Sequence, residues 1–396
     1  MNPFRCIAKV FLFRGAILIP DLPVALLNWD EWTQFFSCGS IKRIKSNFGQ
    51  TLAMAIELKI KKIEQHTEDF KTFELEAQHP LPYKAGQYLT LTMDTLTGEE
   101  RRSYSMVSAP ETDENIKIGV KRIPNGLFSR MLFDEVKTGD ILTCSGTGGL
   151  FTLPDTIEED VEFYFFAAGS GITPFISLLK SGLTRFPHFR ASLFYSNRSE
   201  DVTAFRNELL AMRNQFPERF HLEFLFSNTP DLREARLDRE RLLKIISGVK
   251  HKEKTYFYIC GPAAYMRMIH FILVENGIPK KNIRKEDFLP VRTHAFIPEP
   301  PDQTTRKVIL HYKGQQYKFE VVYPDTILRA AKKLKISLPY SCETGKCGNC
   351  LAKIIHGKVW MNNNEVLLDS DIAKGLTLTC TGHPIEGDVE LQIGGG

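Results

Sequence analysis

Cys342, Cys347 and Cys350 lie in the stretch YSCETGKCGNC with C-x4-C-x2-C spacing, and Cys380 follows in LTLTCTG. Four thiolates spaced in this way can converge on two irons, the plant-type [2Fe–2S] ligand pattern. Gly345 and Gly348 let the loop wrap closely, because glycine tolerates dihedrals that other residues avoid. Backbone N–H groups in such a loop can point at the sulfurs and tune the potential. A zinc site would pair the C-x2-C with a second close pair, but Cys380 stands alone. A single disulfide pair would leave the other cysteines of the set unused, and eight Cys in 396 residues is sparse for a disulfide scaffold. Buried structural cysteines are the plain alternative, but four at this spacing are hard to reach by chance.

A [2Fe–2S] cluster exchanges one electron at a time, whereas a reduced nicotinamide gives two as hydride. A flavin can mediate, because it has a one-electron-reduced state. RRSYSMVSAP places Arg102, Ser103, Tyr104 and Ser105 on a strand. An aromatic ring there can lie on an isoalloxazine face, and an arginine can neutralise a phosphate. An ordinary exposed strand carries the same residue types. IGVKRIPNGLFSRML follows, with Gly119, Val120 and Lys121 on a strand and Gly126, Leu127, Phe128 and Ser129 entering a short helix. Free N–H groups at such a turn suit a pyrophosphate, although a plain turn reads the same. FFAAGSGITPFISLL puts Gly169, Gly171, Thr173 and Pro174 between a buried strand and a helix. This is a phosphate-approach turn, with Pro174 where a full G-x-G-x-x-G would have its third glycine. YFYICGP ends a second strand at Cys260, Gly261 and Pro262. Cys260 reads equally well as a small buried apolar residue.

Three kinds of pattern must position these residues. Residues 54–155 read as short alternating strands between turns, an antiparallel β-barrel for the flavin. Residues 156–292 alternate strand and helix, with VEFYFFAAG apolar on both faces, as in a parallel α/β sheet for the nicotinamide. Residues 293–304 are a Pro-rich linker. Residues 305–396 form an α+β β-grasp module around the cysteine loop. A dozen linker residues at ~3.1 Å each reach roughly 37 Å when extended. Tethering holds the module at an effective concentration in the millimolar range.

Taken in order, these motifs resemble the ferredoxin–NADP⁺ reductase superfamily over 54–292 and plant-type ferredoxins over 305–396. The whole of 54–396 resembles the reductase components of multicomponent oxygenases, and in domain order and motifs the reductase components of phenylacetyl-CoA epoxidases. The resemblance implies FAD, held by Arg102, Ser103, Tyr104, Ser105, Gly119, Val120, Lys121, Gly126, Leu127, Phe128 and Ser129. It implies NADPH (or NADH) beside Gly169, Thr173, Pro174, Gly261 and Pro262, with hydride transfer near Cys260 and Ser105. Phe288 in EDFLP is expected near the flavin. Arg198 in FYSNRSE stands where a 2′-phosphate would be read, and Glu200 keeps a ribose-binding, NADH-type role open. The acceptor implied is an oxygenase, epoxidase or desaturase.

The net charge of +4 is mild, and short runs such as AAKKLKI make no nucleic-acid surface. Over 305–396 there are twelve Lys/Arg against nine Asp/Glu, so the ferredoxin region lacks the acidic surface a free carrier often uses. Within residues 1–53, KVFLFRGAILIPDLPVALLNW is apolar but broken by Arg14, Asp21 and prolines. No run reaches the roughly 20 residues a membrane span needs, and a signal peptide is disfavoured. This segment is expected to lie upstream of a true start at Met54, with a small helical appendage or a membrane-touching piece as the alternatives, and the protein is expected in the cytoplasm without stable membrane insertion. It is too short for the haem-enclosing helical bundle of a nitric oxide dioxygenase. The competing functional class is a redox sensor whose cluster state controls a partner. Rapid NADPH turnover with an artificial acceptor separates the two.

Overall fold

The computed structural model describes residues 56–95, 98–229, 235–288 and 298–394, so the readings made for 1–53 lie outside the described residues. In β1 (Ile56–Thr67), Leu58 and Ile60 are buried while Glu57, Lys59 and Lys61 face out. That alternation places one face in a core and one in water. With β2 (Phe70–Ala77), β3 (Tyr88–Thr95), β4 (Gly98–Ser105), β5 (Ile116–Lys121) and β6 (Ile141–Gly148), it forms an antiparallel sheet in the order β4-β3-β6-β1-β2-β5. A four-residue helix, α1 (Leu127–Arg130), follows β5.

The second sheet is parallel. It contains β7 (Glu162–Ala168), β8 (Arg190–Asn197), β9 (Phe220–Phe226), β10 (Thr255–Cys260) and β11 (Ile283–Glu286), in the order β11-β10-β7-β8-β9. The continuous apolar run of β7 has a direct cause. Phe163 and Phe165 pack with Phe175 and Leu179 of α2 (Thr173–Arg185) on one face. Phe166 packs on the other, with Leu242 of α4 (Arg239–Ser247) and Ile269 of α5 (Ala263–Glu275). DVTAFRNELLAMRNQF reads as one helix from Asp201, but α3 (Arg206–Gln215) starts only after Phe205, which takes a positive φ.

The third sheet holds β12 (Arg306–Tyr312), β13 (Gln315–Val321), β14 (Leu351–Met361), β15 (Leu376–Leu378) and β16 (Gly382–Ile393), in the order β13-β12-β16-β14-β15. β12 runs parallel to β16, and the other pairs are antiparallel. The packed helix α6 (Ile327–Lys333) is capped by Thr326 and is shorter than its apolar period. Lys335 takes a left-handed φ and closes it off. The long β14 strand and the helix α7 (Asp369–Ala373) carry no strong sequence signal.

The flavin and nicotinamide sheets are clamped together. The Ser177 hydroxyl of α2 donates to the Ser108 carbonyl (2.6 Å) and accepts from the Gly86 N–H (3.2 Å), all buried. A Cβ on Gly119 would stand 2.5 Å from the Thr173 methyl, so this glycine is required by the close approach of β5 to α2. Among the described residues no helix is long and apolar enough to cross a membrane.

Candidate functional site

The three thiols of the cysteine loop and that of Cys380, just after β15, form two facing pairs. Cys342 and Cys347 hydrogen-bond each other, as do Cys350 and Cys380, and charge on one pair is felt by the other. No three ligand side chains among the described residues gather around a single-ion position. Two pairs are what two bridged irons need, each taking two thiolates, so these residues fit the cluster. The hydrogen bond from Cys347 and the backbone N–H of Thr344 (3.4 Å) bring the Cys342 thiol down to about 5, against the effect of burial. The same shared proton and burial push Cys347 well up. Gly345 has φ +78°, and a Cβ there would lie 2.6 Å from the Asn363 carbonyl oxygen, so the loop can close only with glycine.

One cavity of about 1150 Å³ runs between the barrel, the parallel sheet and this loop. It is lined by Arg102, Ser103, Tyr104 and Ser105 of β4, by Gly119 and Lys121 of β5, and by Gly126, Leu127, Phe128 and Ser129. Val120 faces the other way, into the barrel core. The Ser129 hydroxyl accepts from the Ile123 N–H (3.1 Å) and donates to the Gly126 carbonyl (3.3 Å), which pins the turn. A Cβ on Gly126 would meet that hydroxyl at 2.5 Å. Arg102 is half-exposed and pairs with Glu100 at 2.9 Å. Lys280, Lys281, Arg284 and Lys285 add a basic wall. An aromatic floor with basic walls fits a flavin and its diphosphate.

Gly169 and Thr173 line the same cavity, as do Gly261 and Pro262. Pro174 is buried in the first turn of α2 and does not line it. Gly169 has φ +56° and open space where a Cβ would stand. A Cβ on Gly171 would lie 2.3 Å from the Cys260 carbonyl oxygen, so the Gly-rich turn and the second strand end meet because this residue is glycine. Cys260 is fully buried, and burial pushes its thiol well up, with the carboxylates of Glu286 and Asp287 adding to the effect. Cys260 and Glu286 are register partners on the adjacent parallel strands β10 and β11. The Ser105 hydroxyl donates to Glu286 (3.1 Å), joining the barrel to this strand end. Burial raises the Glu286 carboxyl to about 8, so it holds its proton at neutral pH. Sequence reasoning missed Glu286, which reads as part of the charged run RKED. Phe288 lines the cavity and is partly exposed.

Arg198 lies outside this cavity, just beyond β8. Its carbonyl accepts from the Asn228 N–H (3.0 Å), and neighbouring Asn197 keeps a buried Nδ2 without a partner. A buried donor without a partner at a strand end fits a polar ligand there. Glu200 is ion-paired with Arg206.

The ferredoxin module is seated on the barrel. The Tyr88 hydroxyl donates to the Cys347 carbonyl (2.9 Å), and the Ser103 and Ser341 hydroxyls bond at 2.7 Å. The Arg101 guanidinium lies 4.0 Å over the Tyr340 ring. Cys342 and Cys347 therefore border the cavity that Tyr104 and Ser105 line.

Comparison with known proteins agrees with this three-part plan. Residues 57–153 match the oxidoreductase FAD-binding domain, 165–270 the oxidoreductase NAD-binding domain and 310–384 the 2Fe-2S iron-sulfur cluster binding domain. The chain is 31% identical over 326 residues to the ferredoxin reductase component of 3-ketosteroid-9-alpha-monooxygenase from Rhodococcus rhodochrous, covering 80% of this chain and 90% of that protein. It is also 31% identical over 346 residues to the E component of 1,2-phenylacetyl-CoA epoxidase from Escherichia coli K12, covering 85% and 97%. The solved structure of phthalate dioxygenase reductase is similar at a TM-score of 0.54 and 26% identity, covering 86% of this chain and 98% of that one. The protein is an oxidoreductase that uses FAD, a [2Fe–2S] cluster and a nicotinamide donor. Bound flavin accepts the hydride pair and releases it as single electrons. The chain belongs to the ferredoxin–NADP⁺ reductase superfamily, among the oxygenase reductase components that carry a [2Fe–2S] ferredoxin domain.

Proposed function

We propose that NADPH is the donor, that hydride arrives between Ser105 and Cys260, and that the cluster passes electrons to a separate oxygenase-type protein. The observation that carries this reading is the shared cavity, lined both by the Gly169–Thr173 turn and by Cys342 and Cys347. The Ser105 hydroxyl and the protonated Glu286 orient the reacting face, while Cys260 fills the space behind it as a neutral thiol. Arg102 and the Gly126–Ser129 turn hold the flavin diphosphate. The relatives' names supply the acceptor class: they are components of a monooxygenase and of an epoxidase.

Arg198 favours NADPH, because a guanidinium pairs with a 2′-phosphate that NADH lacks. Glu200 is committed to Arg206, which weakens the ribose-gripping alternative. Steady-state turnover, with cytochrome c standing in for the oxygenase, tests this. In Arg198→Ala the KM for NADPH should rise roughly tenfold or more while that for NADH changes little, since a charge-assisted hydrogen bond contributes about 1.5–3 kcal/mol. Equal changes for both nucleotides remove Arg198 from the 2′-phosphate site.

A further inference from the structure

The two thiol pairs differ in their surroundings. Cys350 and Cys380 are 2% and 4% exposed and belong to the core of their own module. Cys342 and Cys347 are less buried and border the flavin cavity. The less buried thiol pair thus faces the flavin cavity, and in this arrangement the barrel covers it. An external acceptor of a cluster held there would need that same side, so the module would have to leave its seat between receiving an electron and delivering it.

What holds the seat is mostly neutral. The contacts Tyr88–Cys347, Ser103–Ser341 and Asn349–Thr90 are hydrogen bonds that exchange for water when the module leaves. Each contributes little net free energy. Two contacts carry charge, the Arg101 guanidinium over the Tyr340 ring and one ion pair. Lys346, between two cluster ligands, has a side chain only 1% exposed. Its Nζ lies 2.9 Å from the Asp287 carboxylate, across the junction between modules. Glu365 of its own module is farther away, at 4.0 Å. Asp287 follows Glu286, the partner of Ser105, and precedes Phe288 on the cavity wall. A single tripeptide therefore touches both the hydride site and the cluster loop.

We propose that Lys346 and Asp287 form a charge latch that seats the cluster loop at the flavin and must open before the cluster can meet its acceptor. Separating the pair exposes two charges that the seated state holds close together in a water-poor junction. Removing one partner deletes the attraction that ties the cluster loop to the end of β11, which favours the open state. In each transfer one electron leaves the reduced flavin and enters the cluster. The second follows after the cluster has handed the first to the acceptor.

The proposal rests on the flavin-to-cluster route. The test uses the full chain with both cofactors bound. Rapid-mixing absorbance follows cluster reduction after NADPH, and hydrogen exchange of the backbone around Tyr88, Ser103 and residues 341–350 reports seating independently of turnover. In Asp287→Asn and in Lys346→Met, cluster reduction should slow about tenfold or more and exchange at the junction should rise. The double charge exchange Asp287→Lys with Lys346→Glu should recover much of both. Unchanged cluster reduction and exchange in Asp287→Asn overturn the latch. So does loss of cluster absorbance in Lys346→Met while Asp287→Asn behaves as the parent, because Lys346 then serves only its own loop. A wrong route would show differently, as a parent cluster that NADPH never reduces.

Discussion

Cys342→Ser should lose the [2Fe–2S] absorbance and with it the reduction of cytochrome c, yet keep NADPH-dependent ferricyanide reduction within about twofold. Cys342 belongs to the thiol pair bordering the cavity, and losing one thiolate leaves one iron short of a ligand. The residues proposed for FAD and nicotinamide lie on two other sheets, whose cores are separate from that of the ferredoxin module, so hydride transfer to the flavin should not need the cluster. Ferricyanide takes electrons from the flavin directly. Retained cytochrome c reduction would place the cluster off the route. Loss of flavin together with ferricyanide activity would mean that the flavin site depends on the ferredoxin module.

Glu286→Gln should remove a pH dependence from flavin reduction. Glu286 is partly buried on the cavity wall, holds its proton up to about 8 and accepts from Ser105. Below that pH the site gains one negative charge when the hydride arrives. Above it, the ionised carboxylate is already present, and a second negative charge close beside it is costly. In the parent protein, flavin reduction should slow roughly tenfold as pH rises through about 8. In Glu286→Gln the profile should be flat there. An identical fall in the variant would assign the pH effect to another group. The stability sign is fixed as well. The folded protein binds this proton more tightly than the unfolded chain, so Glu286's contribution falls as pH climbs from the ordinary carboxylate range to about 8, then levels off. Melting curves of the two proteins over this range should diverge accordingly.

The parts of this site legible in the sequence are those with local causes. Cysteine spacing, the glycines that permit tight loops, and the doubly apolar β7 strand each follow from neighbouring residues. Glu286, Asp287 and Lys346 follow from contacts distant in sequence. Ser105 and Glu286 are 181 positions apart, and Lys346 and Asp287 are 59 apart. In RKEDFLP and ETGKCG, these three read as solvated charges. Their surroundings arise only when β11 packs beside β10 and the ferredoxin module takes its seat. Helix ends depart from the apolar pattern for a related reason: Phe205 and Lys335 adopt left-handed φ values that no glycine signals.

Electrons are taken to pass from nicotinamide to flavin to cluster within one chain, and every role assigned above depends on that order. Anaerobic rapid mixing with NADPH, followed by flavin absorbance and by the paramagnetic signal of the reduced cluster, tests it most directly. The flavin band should bleach first, and the cluster signal should follow at a rate independent of protein concentration. A cluster signal that precedes flavin bleaching, or whose rate scales with protein concentration, would contradict it.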